Sequence, residues 1–159
     1  LPEMIGRLCK GAGVENFAVR VDPGLEGLTL GLSYHAVEVI CQELIDNAKK
    51  FHPDHAPRLD ITLKPARLES VNGAQALAAA LTVADDGISL APEQIENAWR
   101  PYYQGEKGFS GQVAGMGLGL AGVANLVWGA GGKVRIYNRE PGPGVAVELR
   151  LPSGGREAA

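Results

Sequence analysis

Apolar and polar positions along the chain recur with two different periods, and each change of period marks an element. In Glu3-Met4-Ile5-Gly6-Arg7-Leu8-Cys9-Lys10 the spacing predicts a short amphipathic helix, closed by Gly11-Ala12-Gly13. Phe17, Val19 and Val21 alternate with Ala18 and Arg20 as a strand that ends at Asp22-Pro23-Gly24, and Leu28-Thr29-Leu30 predicts a second, shorter one. Ser33 stands as an N-cap. From there to about residue 51, Val37, Cys41, Leu44, Ala48 and Phe51 recur at i, i+4, i+7, i+11 and i+14, the apolar stripe of a long helix that Pro53 ends.

Leu59, Ile61 and Leu63 then alternate with Asp60, Thr62 and Lys64, a half-buried strand over residues 58–64, and residues 65–75 read as a polar connection. Residues 76–84 are almost continuously apolar up to Asp85-Asp86-Gly87. The length of this run and its abrupt stop favour a central strand buried on both faces over an alanine-rich helix. Pro92 opens a short helix reaching Trp99. Glycines are too dense over residues 105–119 for a packed element, so this stretch is expected to be a mobile loop feeding a helix at about 118–128. Two last strands, 134–137 and 145–151, are joined as a hairpin by Pro141-Gly142-Pro143-Gly144, and residues 153–159 read as a frayed tail. With no internal repeat and no interdomain linker, the expectation is one domain over residues 1–159. Its fold class would be α/β, a two-layer sandwich with one mixed sheet of about five strands covered by about three helices.

Composition narrows the partners more than the fold. A chain of 159 residues is long enough for a core of its own, and 45% hydrophobic with 21% charged residues is ordinary for a globular protein. A net charge of -3 gives no electrostatic footprint for nucleic acid or an anionic membrane, so neither is expected as a partner. Cys9 and Cys41 are too few and too distant in sequence for a disulfide framework or a zinc site, and read as reduced thiols in a cytoplasmic setting. No apolar run approaches the roughly 18 residues of a spanning helix, so any membrane attachment would lie on other sequence.

The long helix also carries chemistry. Glu43, Asn47 and Lys50 fall at i, i+4 and i+7, which stacks a carboxylate, an amide and an ammonium on one strip about a third of a turn from the apolar stripe. Asn47 could offer an oxygen to magnesium, Lys50 could neutralise a phosphate, and Glu43 could orient or deprotonate a water. Alone, such a strip is an ordinary solvated face. Asp85-x-Gly87 places a carboxylate at the end of a buried strand, where it can accept a hydrogen bond from an exocyclic amine such as that of adenine; by itself it is an ordinary strand-ending turn. Gly115-Met116-Gly117-Leu118-Gly119-Leu120 precedes a helix, so its backbone N–H groups and the helix dipole could cradle phosphates. It is neither a Walker loop nor a dinucleotide fingerprint, since no Gly-Lys-Ser/Thr follows and no strand feeds into it.

Taken in order, these segments resemble the ATP-binding domain of the GHKL superfamily of gyrases, ninety-kilodalton heat-shock chaperones, histidine kinases and MutL, and within it that of bacterial sensor histidine kinases. Glu43-x-x-x-Asn47-Ala48-x-Lys50-Phe51 matches the N box and Asp85-x-Gly87 the G1 box. Trp99-Arg100-Pro101-Tyr102-Tyr103-Gln104 resembles the F box, and Gly115-Met116-Gly117-Leu118-Gly119-Leu120 matches the G2 box. The resemblance implies the Bergerat fold and Mg-ATP as ligand. Asn47 would hold Mg2+, with Glu43 reaching the metal through water, and Lys50 would face the phosphates. Asp85 would hold the adenine amine beside Gly87, and Gly115, Gly117, Leu118 and Gly119 would contact the phosphates under a lid over residues 104–114. Lys107, the one basic residue in that lid, would reach the terminal phosphate or remain a solvated loop lysine.

Three departures from the pattern stand out. Ser89 replaces the second glycine of the G1 box. Trp99, Tyr102 and Tyr103 stand where phenylalanines are usual. None of His35, His52 and His55 has the setting of a phosphoacceptor, and all three read as surface or helix-end residues. The function implied is transfer of the γ-phosphate of ATP to a histidine on a separate dimerisation domain, in cis or in trans, with a response regulator served indirectly. Glu43, Asn47 and Lys50 would be the catalytic residues. An anti-sigma-factor-like serine kinase, a nucleotide-binding switch with little catalysis, and an ATPase with Glu43 as base are the alternatives.

Overall fold

The computed structural model of the chain describes residues 1–101 and 119–156. Six strands form one mixed sheet. In spatial order β1 (Asn16–Val21) lies beside β3 (Arg58–Glu69), then β4 (Gln75–Ala84), then β6 (Val145–Arg156). The far edge of β6 is shared. β5 (Lys133–Asn138) pairs with its first half and β2 (Leu28–Leu30) with its last residues. Only β1 and β3 run parallel among these pairs.

Four α-helices, α1 (Pro2–Gly11), α2 (Tyr34–Phe51), α3 (Pro92–Asn97) and α4 (Gly119–Gly129), stand among the described residues, with one 3-10 turn at Pro23–Leu25. The core is the seam between α1, α2, α4 and one face of the sheet. There Met4, Ile5, Ile40, Ile45, Val123 and Val127 meet Leu59, Ile61, Leu81, Leu149 and Leu151, all nearly inaccessible. Each such side chain contributes about 1.5–3 kcal/mol of transfer free energy. Cys9 and Cys41 lie in the same seam as free thiols, and burial pushes them up to about 11 and about 12. The other face of the sheet carries a groove of about 500 Å³ lined by Thr62, Lys64, Thr82, Glu148 and Arg150 among others. No helix among the described residues is long and apolar enough to cross a membrane.

The start of α2 follows its expectation closely, since Ser33 Oγ accepts a hydrogen bond from Ala36 N at 3.1 Å and the helix ends at Phe51. Phe51 itself corrects the apolar stripe: it is 60% exposed, while Ile40 and Ile45 are fully buried. The stripe outruns the sheet beneath it by one turn. Three strand expectations change as well. Residues 65–69 continue β3 instead of starting a connection, and the turn to β4 occupies only residues 70–74. Pro65 is tolerated there because Leu63 O accepts from Asp22 N on the β1 side, and strand alternation turns Pro65 toward that same side, beyond the end of β1. β4 is central as expected, but its faces differ: Ala79, Leu81 and Val83 are buried in the core, whereas on the other face Ala78 is buried and Thr82 opens to the polar groove. Residues 153–156 are not frayed. They extend β6, where Thr29 faces Gly155 across the β2 pairing; residues 157–159 lie outside the described residues.

Stability measurements separate these two parts of α2. Ile45→Ala is expected to cost about 2–5 kcal/mol in denaturant unfolding, whereas Phe51→Ala stays within about 0.5 kcal/mol.

Candidate functional site

At the open end of the seam, the C-terminal half of α2 approaches the turn that follows β4. Glu43 is 7% exposed, and its Oε2 accepts from the backbone N–H of Gly119 at 3.2 Å, which ties α2 to the first residue of α4. Asn47 is half-buried, and its Nδ2 is fully buried with no hydrogen-bond partner among the described residues. Lys50 is half-buried, with its Nζ 4.9 Å from the centre of the Phe51 ring.

Asp85 leaves β4 with its carboxylate turned back on its own turn. Oδ1 accepts from Gly87 N at 2.8 Å and from Val145 N at 3.4 Å, while Oδ2 has no hydrogen bond among the described residues. Burial pushes the Asp85 pKa up, and the two backbone N–H groups pull it partly back. Gly87 is buried, and a Cβ there would come within 3.0 Å of Asp85 Oδ1 and 3.6 Å of the His52 ring. The next residue of the turn is pinned too: Asp86 Oδ1 accepts from Arg58 N at 2.8 Å and lies 3.3 Å from His52 Nε2.

The hairpin of β5 and β6 clamps this turn from the far side. Arg139 Nη1 donates to Asp85 O at 2.9 Å, and the Asn138 amide exchanges hydrogen bonds with both N and O of Leu90. A Cβ on Gly144, which has φ +120°, would fall 2.0 Å from Asp85 O. Ser89 Oγ accepts from Gly144 N at 3.3 Å, which fastens the hairpin to this turn.

Residues 33–155 match the family described as histidine kinase-, DNA gyrase B-, and HSP90-like ATPase. The chain belongs to that ATPase family. Among its relatives is the sensor histidine kinase Hik2 of Synechocystis, 34% identical over 75% of this chain and 28% of Hik2. Another is the autoinducer 2 sensor kinase/phosphatase LuxQ of Vibrio parahaemolyticus, 28% identical over 94% of this chain and 17% of LuxQ. The chain therefore spans less than a third of the length of these relatives. The fold agrees with solved structures. The mycobacterial sensor histidine kinase MprB superposes with a TM-score of 0.69 at 22% identity, covering 96% of this chain and 92% of that one. Full-length ShkA, solved with AMPPNP, gives 0.64 at 24% identity over 99% and 29%.

Of the positions this ATPase family would use, the structure brings Glu43 against Gly119 and Asp85 against Gly87, with His52 and Asp86 joining the end of α2 to the turn. Trp99 packs against the core. Lys107, Gly115, Gly117, Leu118, the stretch 104–114 and Tyr102 and Tyr103 lie outside the described residues. Asn138, Arg139 and Gly144 were not singled out in the sequence, and only the turn-like Pro-Gly-Pro-Gly hinted at the last. The histidines stand at the surface or at a helix end: His35 is largely exposed beside Glu38, His55 Nδ1 lies 3.2 Å from Lys49 O, and His52 is the C-cap of α2 with its side chain 11% exposed.

Glu43 supplies a pH test. Burial raises its pKa above the ordinary 4.5, against the lowering effect of the Gly119 N–H. The folded chain then holds that proton more tightly than the unfolded one, so the contribution to stability is present below pH 4.5 and lost as pH rises through the folded-state value. Glu43→Gln keeps an acceptor for Gly119 without the buried charge, and should raise Tm at pH 7 by about 1–3 °C. Thermal unfolding should show the gap closing below pH 4.5; an equal shift at both pH values would assign the effect to something other than ionisation.

Proposed function

We propose that this chain is a single ATP-binding catalytic module that binds Mg-ATP and passes the γ-phosphate to a histidine on a separate dimerisation domain, in two-component signalling. The observation that carries this reading is the buried amide nitrogen of Asn47, which has no partner among the described residues. Buried donors without a partner are rare in folded proteins, and this one sits on the helix strip where the resemblance puts the nucleotide phosphates, whose oxygens would satisfy it. That relatives are named sensor kinases supports the histidine as acceptor.

Asp85 Oδ2 would accept from the 6-amino group of adenine, with Gly87 leaving room beside the base. The Asn47 amide and the Lys50 ammonium would meet the phosphates, joined by Lys107 and the backbone of Gly115, Gly117, Leu118 and Gly119. Mg2+ fits the oxygen donors present, the Asn47 amide and Glu43 through water. Among the described residues no group of three or more acidic, histidine or cysteine side chains could hold a metal. Magnesium bound by one or two protein oxygens, with nucleotide phosphates filling its shell, is therefore the arrangement these residues support. The ion would neutralise phosphate charge. The chain's own residues would orient the base and align the phosphates, which is most of what catalysis of phosphoryl transfer requires.

The acceptor domain would lie in cis in a longer, membrane-attached cytoplasmic sensor or be supplied in trans, with a response regulator downstream. Calorimetric titration should show magnesium-dependent ATP binding that Asp85→Asn weakens at least about tenfold, a loss of about 1.4 kcal/mol. No binding by the wild type would remove the whole reading. With γ-labelled ATP the chain alone should stay unlabelled, and stoichiometric acid-labile label on His35, His52 or His55 would overturn the separate acceptor.

A further inference from the structure

We propose that His52 is a positioning residue that sets selectivity for the 6-amino group of the base; this rests on the reading of Asp85 as the adenine contact. His52 ends α2, five residues after Asn47 and two after Lys50, and its ring is engaged on three sides. Nδ1 accepts from the backbone N–H of Asp54 at 3.2 Å and of Ala56 at 3.4 Å. A ring nitrogen that accepts carries no proton, so the proton stands on Nε2. Nε2 faces Asp86 Oδ1 at 3.3 Å, the same oxygen that accepts from Arg58 N. The ring edge lies 3.6 Å from where a Cβ on Gly87 would stand.

Asp86 is the middle residue of the turn whose next N–H, that of Gly87, holds Asp85 Oδ1 at 2.8 Å. His52 thus fixes Asp86, Asp86 fixes the Gly87 N–H, and that N–H fixes which way Oδ2 of Asp85 points. A hydrogen bond to an exocyclic amine depends steeply on direction, whereas stacking of the base does not. Loss of the His52 contact should therefore penalise a base with an amine and leave one without it nearly untouched.

The test titrates the full chain, in magnesium, with ATP and with inosine triphosphate, whose base carries a carbonyl in place of the amine. Wild type should prefer ATP. His52→Ala should lower ATP affinity by about tenfold and inosine triphosphate affinity by no more than about twofold, so that the preference collapses. His52→Gln, whose amide reaches Asp86 in place of Nε2, should restore most of it. A preference left intact in His52→Ala, or equal losses for both nucleotides, would overturn the proposal. Should His52→Ala not fold, Asp86→Ala cuts the same link from the other side, and an unchanged preference there would overturn it equally. Failure of wild type to bind ATP, or to prefer it, would instead remove the Asp85 site, and this proposal with it.

Discussion

The structure depends on holding one carboxylate still where strand β4 ends. Removing a carboxylate from water costs several kcal/mol unless hydrogen bonds replace the lost solvation, and Asp85 meets that demand with backbone N–H groups from two places, Gly87 in its own turn and Val145 at the start of β6. Its main chain is held as well, with Asp85 N donating to Val145 O at 2.9 Å and Arg139 donating to Asp85 O. The turn can be approached this closely only where side chains are missing. Gly144 presses on it from the hairpin and Gly87 from within, so two glycines far apart in sequence serve one carboxylate.

α2 transmits this placement to the other end of the site. Val37, Ile40, Cys41, Leu44, Ile45 and Ala48 seat the helix on the sheet, and against those six apolar anchors a single buried carboxylate, Glu43, is tolerable. Its position is not idle. Glu43 accepts from the first N–H of α4, where the positive end of the helix dipole favours a negative charge. At the other end of α2, Lys49 Nζ donates to Ala12 O and closes the helix onto the loop after α1. The strip bearing Asn47 and Lys50 is therefore held at both ends, which is what a site working by alignment requires.

What could be read from the sequence was local. The Ser33 cap, the spacing of Glu43, Asn47 and Lys50, and the Asp-x-Gly turn all involve residues within a few positions of each other, and each was legible before the fold was known. Features decided by distant partners were not. Residues 153–156 look like a tail because their strand status comes from β2; Thr29 Oγ1 donates to Gly155 O across 126 positions of sequence. Residues 65–69 read as part of a polar connection until their pairing with β4 is known. Phe51 satisfies the helical period yet lies past the sheet that would bury it. The same holds at the site, where Asn138, Arg139 and Gly144 act on the turn from 48 to 55 residues away.

The pairing of charges points the same way. Among the described residues the arginine–carboxylate pairs are Arg7 with Glu38, Arg20 and Arg139 with Asp60, and Arg150 with Glu148; none of them involves Glu43, Asp85 or Asp86. Those three acids are satisfied instead by backbone N–H groups and, for Asp86, by the ring of His52. An arginine beside Asp85 would stabilise its ionised form more strongly, but its bidentate fork would also cover Oδ2. Backbone amides occupy one oxygen from a fixed direction and cannot swing across to the other. Holding the carboxylate with main chain therefore leaves Oδ2 without a hydrogen bond among the described residues, where a side-chain fork would have taken both oxygens.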